Sequence, residues 1–357
     1  MIKGLIEKRA LPSLLTMNDG TPAASEAQWR TRRRELIDLL SDQVCGYTPA
    51  APDHVDCRQL SCEENSFANK AVSEKLELTF DTPKGPFSFP FDLILPKSAN
   101  PAPLFIAIAF RPNIPDRYLP MEEIIDSGYG VATFYYNDVT TDNGEETGLM
   151  LNYPRDAKTG WGKIGMWAFA ASRIMDYVLT RDDIDHSRVA VIGHSRLGKT
   201  ALWCGAQDER FSMVISNDSG CSGAAITRDK AGEDVKAITN RFPYWFCGNY
   251  QTWAEREHEM PFEQHMLLAL TAPRHLYVCS AEEDQWADPV SEFLSSAAAS
   301  PAWDVLGKTG LVTPDHLPAV GDSLHEGTVG YHLRSGSHFL SRIDWLNYIA
   351  YRNRHNI

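Results

Sequence analysis

The sequence contains no continuous apolar run of about 18 residues, the length that spans a lipid bilayer. We therefore expect no contact with a membrane. The first residues also lack the apolar core and the small-residue cleavage site of a secretory signal. A cytoplasmic location is the resulting expectation, unless a signal has been removed upstream.

Positive charge is scarce as well, because 34 Lys and Arg residues stand against 47 Asp and Glu residues and the formal net charge is −13. Such a surface repels phosphate backbones, which argues against a nucleic-acid partner. The seven cysteines include no C-x-x-C pair, so zinc ribbons and thioredoxin-like motifs have no support and we expect mostly buried thiols. His258 and His265 lack a third ligand, and no metal or cofactor is expected.

The sequence contains two kinds of strand pattern. Between residues 75 and 95, apolar and polar residues alternate on either side of Pro83-Lys84-Gly85, which predicts an antiparallel hairpin with one buried face. Short, continuously apolar runs, typical of strands buried on both faces, follow at 104–109, 131–135, 189–192, 213–215 and 276–279. Helical patterns lie between them. This alternation predicts an α/β fold with a mostly parallel central sheet and helices on both faces.

The N-terminal part of the chain has a helical pattern. Ser25 and Gln28 form a capping-box signal, and an apolar helical face follows them. We assign residues 1–70 to an N-terminal helical segment packed on the core and residues 71–357 to the α/β unit. No linker pattern separates the two, so a single domain is expected overall.

The most informative local pattern is a strand, a tight turn and a helix start around residues 193–200 (GHSRLGKT). These letters match the phosphate-binding loop pattern G-x4-G-K-T. In that interpretation backbone amides hold phosphates, Lys199 reaches the terminal phosphate and Thr200 binds magnesium. Asp218, after the next apolar run, would be the Walker-B-like acidic residue that accompanies such a loop. The protein would then be a nucleotide hydrolase.

The same residues match a nucleophile elbow, in which a serine is held above the end of a buried strand. Ser195 occupies that position, with Gly193 two residues before it and Gly198 one step later than in the common G-x-S-x-G pattern. A serine hydrolase needs an acid and then a histidine downstream of the nucleophile. Asp218 and His338 supply them in that order, and we therefore favour the hydrolase.

Together these residues resemble a known family. The GHSRLGK segment resembles the G-x-S-R-x-G-K motif of glucuronoyl esterases, carbohydrate esterases of the α/β-hydrolase fold, and of their acetyl-xylan-esterase-like bacterial relatives. Further similar segments follow in the family's order: 216–220, 243–247, 261–265 and 272–274. The resemblance covers most of the chain after the N-terminal segment. It implies hydrolysis of a carbohydrate ester through an acyl-enzyme.

The resemblance also implies roles for single residues. Ser195 is the nucleophile, His338 the general base and Asp218 the acid that orients the imidazole. A serine hydroxyl is a poor nucleophile without such a base, and the imidazolium needs a carboxylate. Arg196 would add its side chain to the oxyanion site. Lys199 would hydrogen-bond hydroxyl groups of the sugar.

The acid and the substrate stay open. Asp284 or Glu283 are alternative acids, because they follow the last apolar run, the more usual place in hydrolases; we favour Asp218. Trp245 and Trp286 could stack on a sugar ring.

His265, beside the site, is expected to take part in substrate binding. Residues 221–227 lack the tryptophan that members binding methylglucuronate often have, so a glucuronoyl ester and an acetylated sugar both fit. An inactive sugar-binding relative is a further alternative. The acidic loop 142–146 either touches substrate or is a simple turn.

Overall fold

The computed structural model describes residues 1–357 and contains one ten-stranded sheet. Its strands are β1 (Val55–Asn65), β2 (Ala71–Thr82), β3 (Gly85–Pro96), β4 (Ala102–Ala109), β5 (Gly130–Tyr135), β6 (Ile184–His194), β7 (Met213–Asn217), β8 (His275–Ala281), β9 (Ser323–Leu324) and β10 (Val329–Arg334). Their order across the sheet is β1-β2-β3-β5-β4-β6-β7-β8-β10-β9.

The block from β5 to β10 in this order is parallel throughout. It contains all five predicted apolar runs, whose central residues are fully buried because helices cover both faces of the sheet. The prediction of an α/β fold with a mostly parallel sheet is confirmed.

The predicted hairpin is also present. β2 and β3 pair antiparallel from Ala71↔Pro96 to Thr82↔Gly85, and β3 joins the parallel block through β5. β1 pairs with β2, so the boundary we placed at residue 70 falls inside the sheet. The sequence pattern missed β1 because its residues are mostly exposed and polar. It missed β10 because Gly330, His332 and Arg334 interrupt the apolar run.

The helices are α1 (Ile2–Lys8), α2 (Glu26–Leu40), α3 (Ser66–Asn69), α4 (Met121–Asp126), α5 (Tyr136–Val139), α6 (Leu149–Asn152), α7 (Lys163–Val178), α8 (Arg196–Gln207), α9 (Val235–Arg241), α10 (Gln264–Ala269), α11 (Pro289–Ala299), α12 (Pro301–Val305) and α13 (Arg342–His355). The side chain of Ser25 caps α2 by accepting from the amide of Gln28, as predicted. None of these helices has the length and apolarity needed to cross a bilayer.

Alternate residues of each central strand enter two separate cores. In β4, Leu104 and Ile106 belong to the core that holds α7 and α8, whereas Phe105 and Ala107 belong to the core that holds α4 and α13. The period of two places these sets on opposite faces of the sheet. The carboxyl ends of the parallel strands consequently meet at one edge, where loops can combine side chains from several strands. Five of the seven cysteines are buried and all are free thiols.

Candidate active site

Ser195 stands on a sharp turn between β6 and α8. Its backbone has φ 58° and ψ −127°, a conformation that is strained for a residue with a side chain. The turn needs glycine at position 193, because a Cβ there would lie 1.9 Å from the carbonyl oxygen of Leu197. The Ser195 amide donates to the carbonyl of Asn217 at 2.8 Å, while its half-buried hydroxyl has no partner within the protein. This is the geometry of a nucleophile elbow.

His338 lies in the loop between β10 and α13, beside the elbow. Its ring centre is 4.5 Å from that of His194, the residue before Ser195. Its Nδ1 is 2.6 Å from a carboxylate oxygen of Asp284, and 43% of its side chain is exposed. Burial raises the pKa of Asp284, but the hydrogen bond and the charge of His338 outweigh burial, and the net shift is downward. An ionised Asp284 therefore orients the imidazole.

The contact that we predicted for Asp218 is thus made by Asp284, the alternative acid, and this expectation must be corrected. The Asp218 carboxylate accepts from the amide of Ala281 at 2.7 Å and from Arg334 at 3.0 Å. It has an oxygen within 4.8 Å of the ligand atoms of Asp284 and His338, yet it makes no hydrogen bond to the imidazole. Burial raises its pKa well above the ordinary value. The other alternative acid, Glu283, is exposed and makes no side-chain hydrogen bond.

Arg334 explains why Asp218 makes no hydrogen bond to the imidazole of His338. This arginine is only 6% exposed and lies between two buried carboxylates, Asp218 and Asp344. Asp344 also contacts Nε2 of His332 at 2.9 Å. Arg334 also donates to the carbonyls of Ser335, Ser337 and Phe339, so the buried network anchors the His338 loop, and Asp284 is the carboxylate that contacts the imidazole.

Replacing Arg334 with methionine should lower the free energy of unfolding by about 3–5 kcal/mol, because two buried carboxylates lose their cation. Urea denaturation at pH 7 measures this change. The matched control is Arg58→Met, since Arg58 pairs with Glu77 but is 71% exposed, and a change below about 1 kcal/mol is expected there. Equal losses in both variants would contradict the assignment of the buried network.

Two of the predicted substrate-binding residues do not face the solvent. Trp245 is 3% exposed, stacks on Phe242 with ring centres 3.8 Å apart, and donates its indole N–H to Asp142 at 2.6 Å. His265 is 2% exposed on α10, where its ring lies near Pro12, and burial lowers its pKa to about 3. Both expectations of direct substrate contact need correction, because packing against neighbouring segments encloses these rings.

The other two predicted substrate-binding residues differ in exposure. Trp286 is 56% exposed and follows Asp284 by two residues in the sequence. Lys199 lies in the first turn of α8, is 5% exposed and donates to the carbonyl of Ser219. Burial lowers the pKa of Lys199, and the charge of Glu233 acts in the opposite direction. The half-buried Glu233 carried no recognisable signal in the sequence.

The phosphate-loop interpretation is wrong. Lys199 is directed at the Ser219 carbonyl, and the Thr200 hydroxyl donates to the carbonyl of Arg196 at 3.0 Å within the helix. Neither side chain is presented to a ligand in the way that a phosphate and a magnesium ion require.

Arg196, the first residue of α8, extends its guanidinium towards the loop after α5. It forms an ion pair with Asp142, and its side chain is 27% exposed. The Arg196 amide has no intrahelical acceptor at this position and remains available near the Ser195 hydroxyl. A backbone donor and a cation thus lie at the start of α8, where an oxyanion would form.

Comparison with known proteins gives matches along most of the chain. The family described as "Glucuronyl esterase, fungi" matches residues 80–307. Carbohydrate esterase MZ0003, from an unknown prokaryotic organism, is 35% identical over 98% of this chain and 90% of its own length. The 4-O-methyl-glucuronoyl methylesterase of Phanerochaete carnosa is 27% identical over 83% of this chain and 72% of its own length.

Solved structures match equally well. A glucuronoyl esterase from Solibacter usitatus has a TM-score of 0.89 and 37% identity, with 96% of this chain and 97% of that chain covered. A CE15 esterase from a marine bacterial metagenome has a TM-score of 0.89 and 34% identity, with 97% and 96% covered. The two folds therefore correspond to this one over nearly their whole length.

Proposed function

Because this chain belongs to the glucuronoyl esterase family and is a carbohydrate esterase of α/β-hydrolase fold, we propose that it cleaves its ester through an acyl-enzyme on Ser195. The observation that carries the proposal is the strained serine at the elbow with the His338–Asp284 pair beside it. Backbone strain that the fold maintains at a half-buried serine whose hydroxyl has no hydrogen-bond partner is typical of a reactive residue.

In the proposed reaction, Nε2 of His338 accepts the proton of the Ser195 hydroxyl while the oxygen attacks the ester carbonyl. Asp284 stabilises the imidazolium that forms and holds Nδ1 in its protonated state. The tetrahedral oxyanion is stabilised by the amide and the guanidinium of Arg196. His338 then gives the proton to the leaving alcohol. Water, activated by the same imidazole, hydrolyses the acyl-enzyme and regenerates the serine.

We further propose that the acyl group is a glucuronate, which is what the resemblance of the GHSRLGK segment implies. Lys199 lies one helical turn beyond the nucleophile, and its ammonium has a single protein acceptor. Its remaining N–H donors, the nearby Glu233 carboxylate and the exposed Trp286 suit an acyl group that carries hydroxyls. An acetyl group would need only a small apolar pocket.

The test compares kcat/KM for benzyl glucuronate with kcat/KM for acetylated methyl xyloside. We expect the glucuronate ester to be favoured at least tenfold, because only its acyl group can use these polar partners. A fluorophosphonate probe should label the tryptic peptide Val189–Arg196, in which Ser195 is the one serine. A reversed preference with intact labelling would support the deacetylase alternative. Absent labelling together with absent turnover would support an inactive sugar-binding relative.

A further inference from the structure

We propose that Asp142 is a positioning residue for the reaction: it holds the Arg196 guanidinium at the oxyanion site, and a buried lysine holds the loop that carries Asp142. The inference rests on the proposed function, since it assigns a purpose to the arginine beside the nucleophile. It also resolves the acidic loop 142–146, which the sequence left as either a substrate contact or a turn.

Every oxygen of the Asp142 carboxylate is occupied. One oxygen accepts the indole N–H of Trp245 at 2.6 Å, and the other accepts the Tyr136 hydroxyl at 3.0 Å and the Arg196 ion pair. The side chain is 6% exposed. A carboxylate held by two neutral donors has one orientation available, so it can fix the direction of the guanidinium that it binds.

Arg196 needs such a partner because of where it stands. It is the first residue of α8, where the helix dipole repels a positive side chain. The faces of the guanidinium pack near aromatic rings, with centres at 4.9 Å for Trp245 and 5.5 Å for Phe110. These rings confine the plane of the group and attract its charge weakly, but they carry no net negative charge. Asp142 supplies the compensating negative charge.

A second set of hydrogen bonds fixes the backbone of the loop around Asp142. Lys163, the fully buried first residue of α7, donates to the carbonyls of Thr141, Asn143 and Glu145 at 2.6, 2.8 and 2.7 Å. All three ammonium protons of Lys163 are thereby used, and the carbonyls of every second residue of the loop accept from the same cation. The loop on either side of Asp142 is therefore tied to the helix.

The Asp142 amide is also anchored, because it donates to the side-chain oxygen of Asn137 at 2.7 Å. Backbone and carboxylate are thus both constrained before substrate arrives. Electrostatic stabilisation of an oxyanion is most effective when its donors need no reorganisation during the reaction. The effect of Asp142 should consequently fall on kcat and leave KM nearly unchanged.

The test is a double-mutant cycle of Asp142→Asn and Arg196→Met, measured on the ester that the wild type hydrolyses best. We expect Asp142→Asn alone to lower kcat about 10- to 100-fold, somewhat less than the loss of an oxyanion donor itself. In the Arg196→Met background the same substitution should change kcat less than twofold, because the group that it positions is gone. Asp142→Glu, which keeps the charge, should recover part of the loss.

The exposed Glu146→Gln, in the same loop, is the matched control and should behave as wild type. Equal factors for Asp142→Asn in both backgrounds, or an effect confined to KM, would overturn the inference. If Asp142→Asn does not fold, the cycle is measured with Asp142→Glu instead. The same comparison of its effect on kcat in the wild-type and Arg196→Met backgrounds then applies. Failure of the proposed function appears separately, as ester hydrolysis that persists in Ser195→Ala.

Discussion

Alanine in place of Ser195 is expected to lower kcat for ester hydrolysis by about a million-fold, to the level left by binding and the oxyanion donors alone. The reason is that no other hydroxyl stands on the strained turn after β6, and the acyl-enzyme cannot form without it. KM should change little, because the serine hydroxyl acts in bond formation and is not one of the groups proposed to bind the substrate in the ground state. Steady-state kinetics on the preferred ester and loss of fluorophosphonate labelling measure the effect.

The control for this substitution is Ser335→Ala, an exposed serine in the loop that carries His338. Its side chain makes no hydrogen bond, and its replacement should change kcat less than about twofold. If Ser195→Ala retained more than about a hundredth of wild-type kcat, the serine mechanism would be refuted, since single removals within a triad reach far larger factors.

Replacing Asp284 with alanine is expected to lower kcat about ten-thousand-fold. Without the 2.6 Å contact at Nδ1, the imidazole loses its orientation and the stabilisation of its protonated form. Asp218→Asn should lower kcat less than about tenfold, because Asp218 is bound to Arg334 and to the Ala281 amide and not to the imidazole. Its main effect should be on stability, through the loss of the buried ion pair.

Glu283→Gln is the matched control for Asp284, because it is the adjacent carboxylate in the same loop and is exposed. We expect wild-type kcat for it. The assignment fails if Asp218→Asn proves the more damaging of the two aspartate substitutions, which would mean that the imidazole turns towards Asp218 during the reaction. Fluorophosphonate labelling rates should rank the variants in the same order as kcat.

Much of the fold was predictable because its signals are local. The continuous apolar runs marked the buried parallel strands, and alternation around Pro83-Lys84-Gly85 marked the hairpin. These patterns reflect how many faces of a strand are covered. β1 had no such signal, because it is the edge strand of the sheet and most of its side chains are exposed. Its pairing with β2 is made by backbone hydrogen bonds, which leave no apolar pattern in the sequence.

The elbow was predictable for a similar reason. The lack of room for a Cβ at position 193 and the strained backbone of Ser195 are properties of one short turn. Residues within a turn constrain each other through covalent geometry, so the short motif limited the turn to an elbow or a phosphate-binding loop. The order of Ser195 and His338 along the chain supported the same conclusion.

What the sequence indicated by itself, then, is the five buried parallel strands, the hairpin, the elbow and the family, and it predicted Ser195 and His338 as the reacting pair. The acid, the burial of Trp245 and His265, and the partner of Arg196 were decided only by the tertiary structure. Asp218 and Asp284 follow neighbouring parallel strands, whose carboxyl ends lie at the same edge of the sheet. Asp284 contacts the imidazole because Arg334 forms an ion pair with Asp218. Arg334 and Asp218 are far apart in the sequence, so the order of residues along the chain does not reveal this contact.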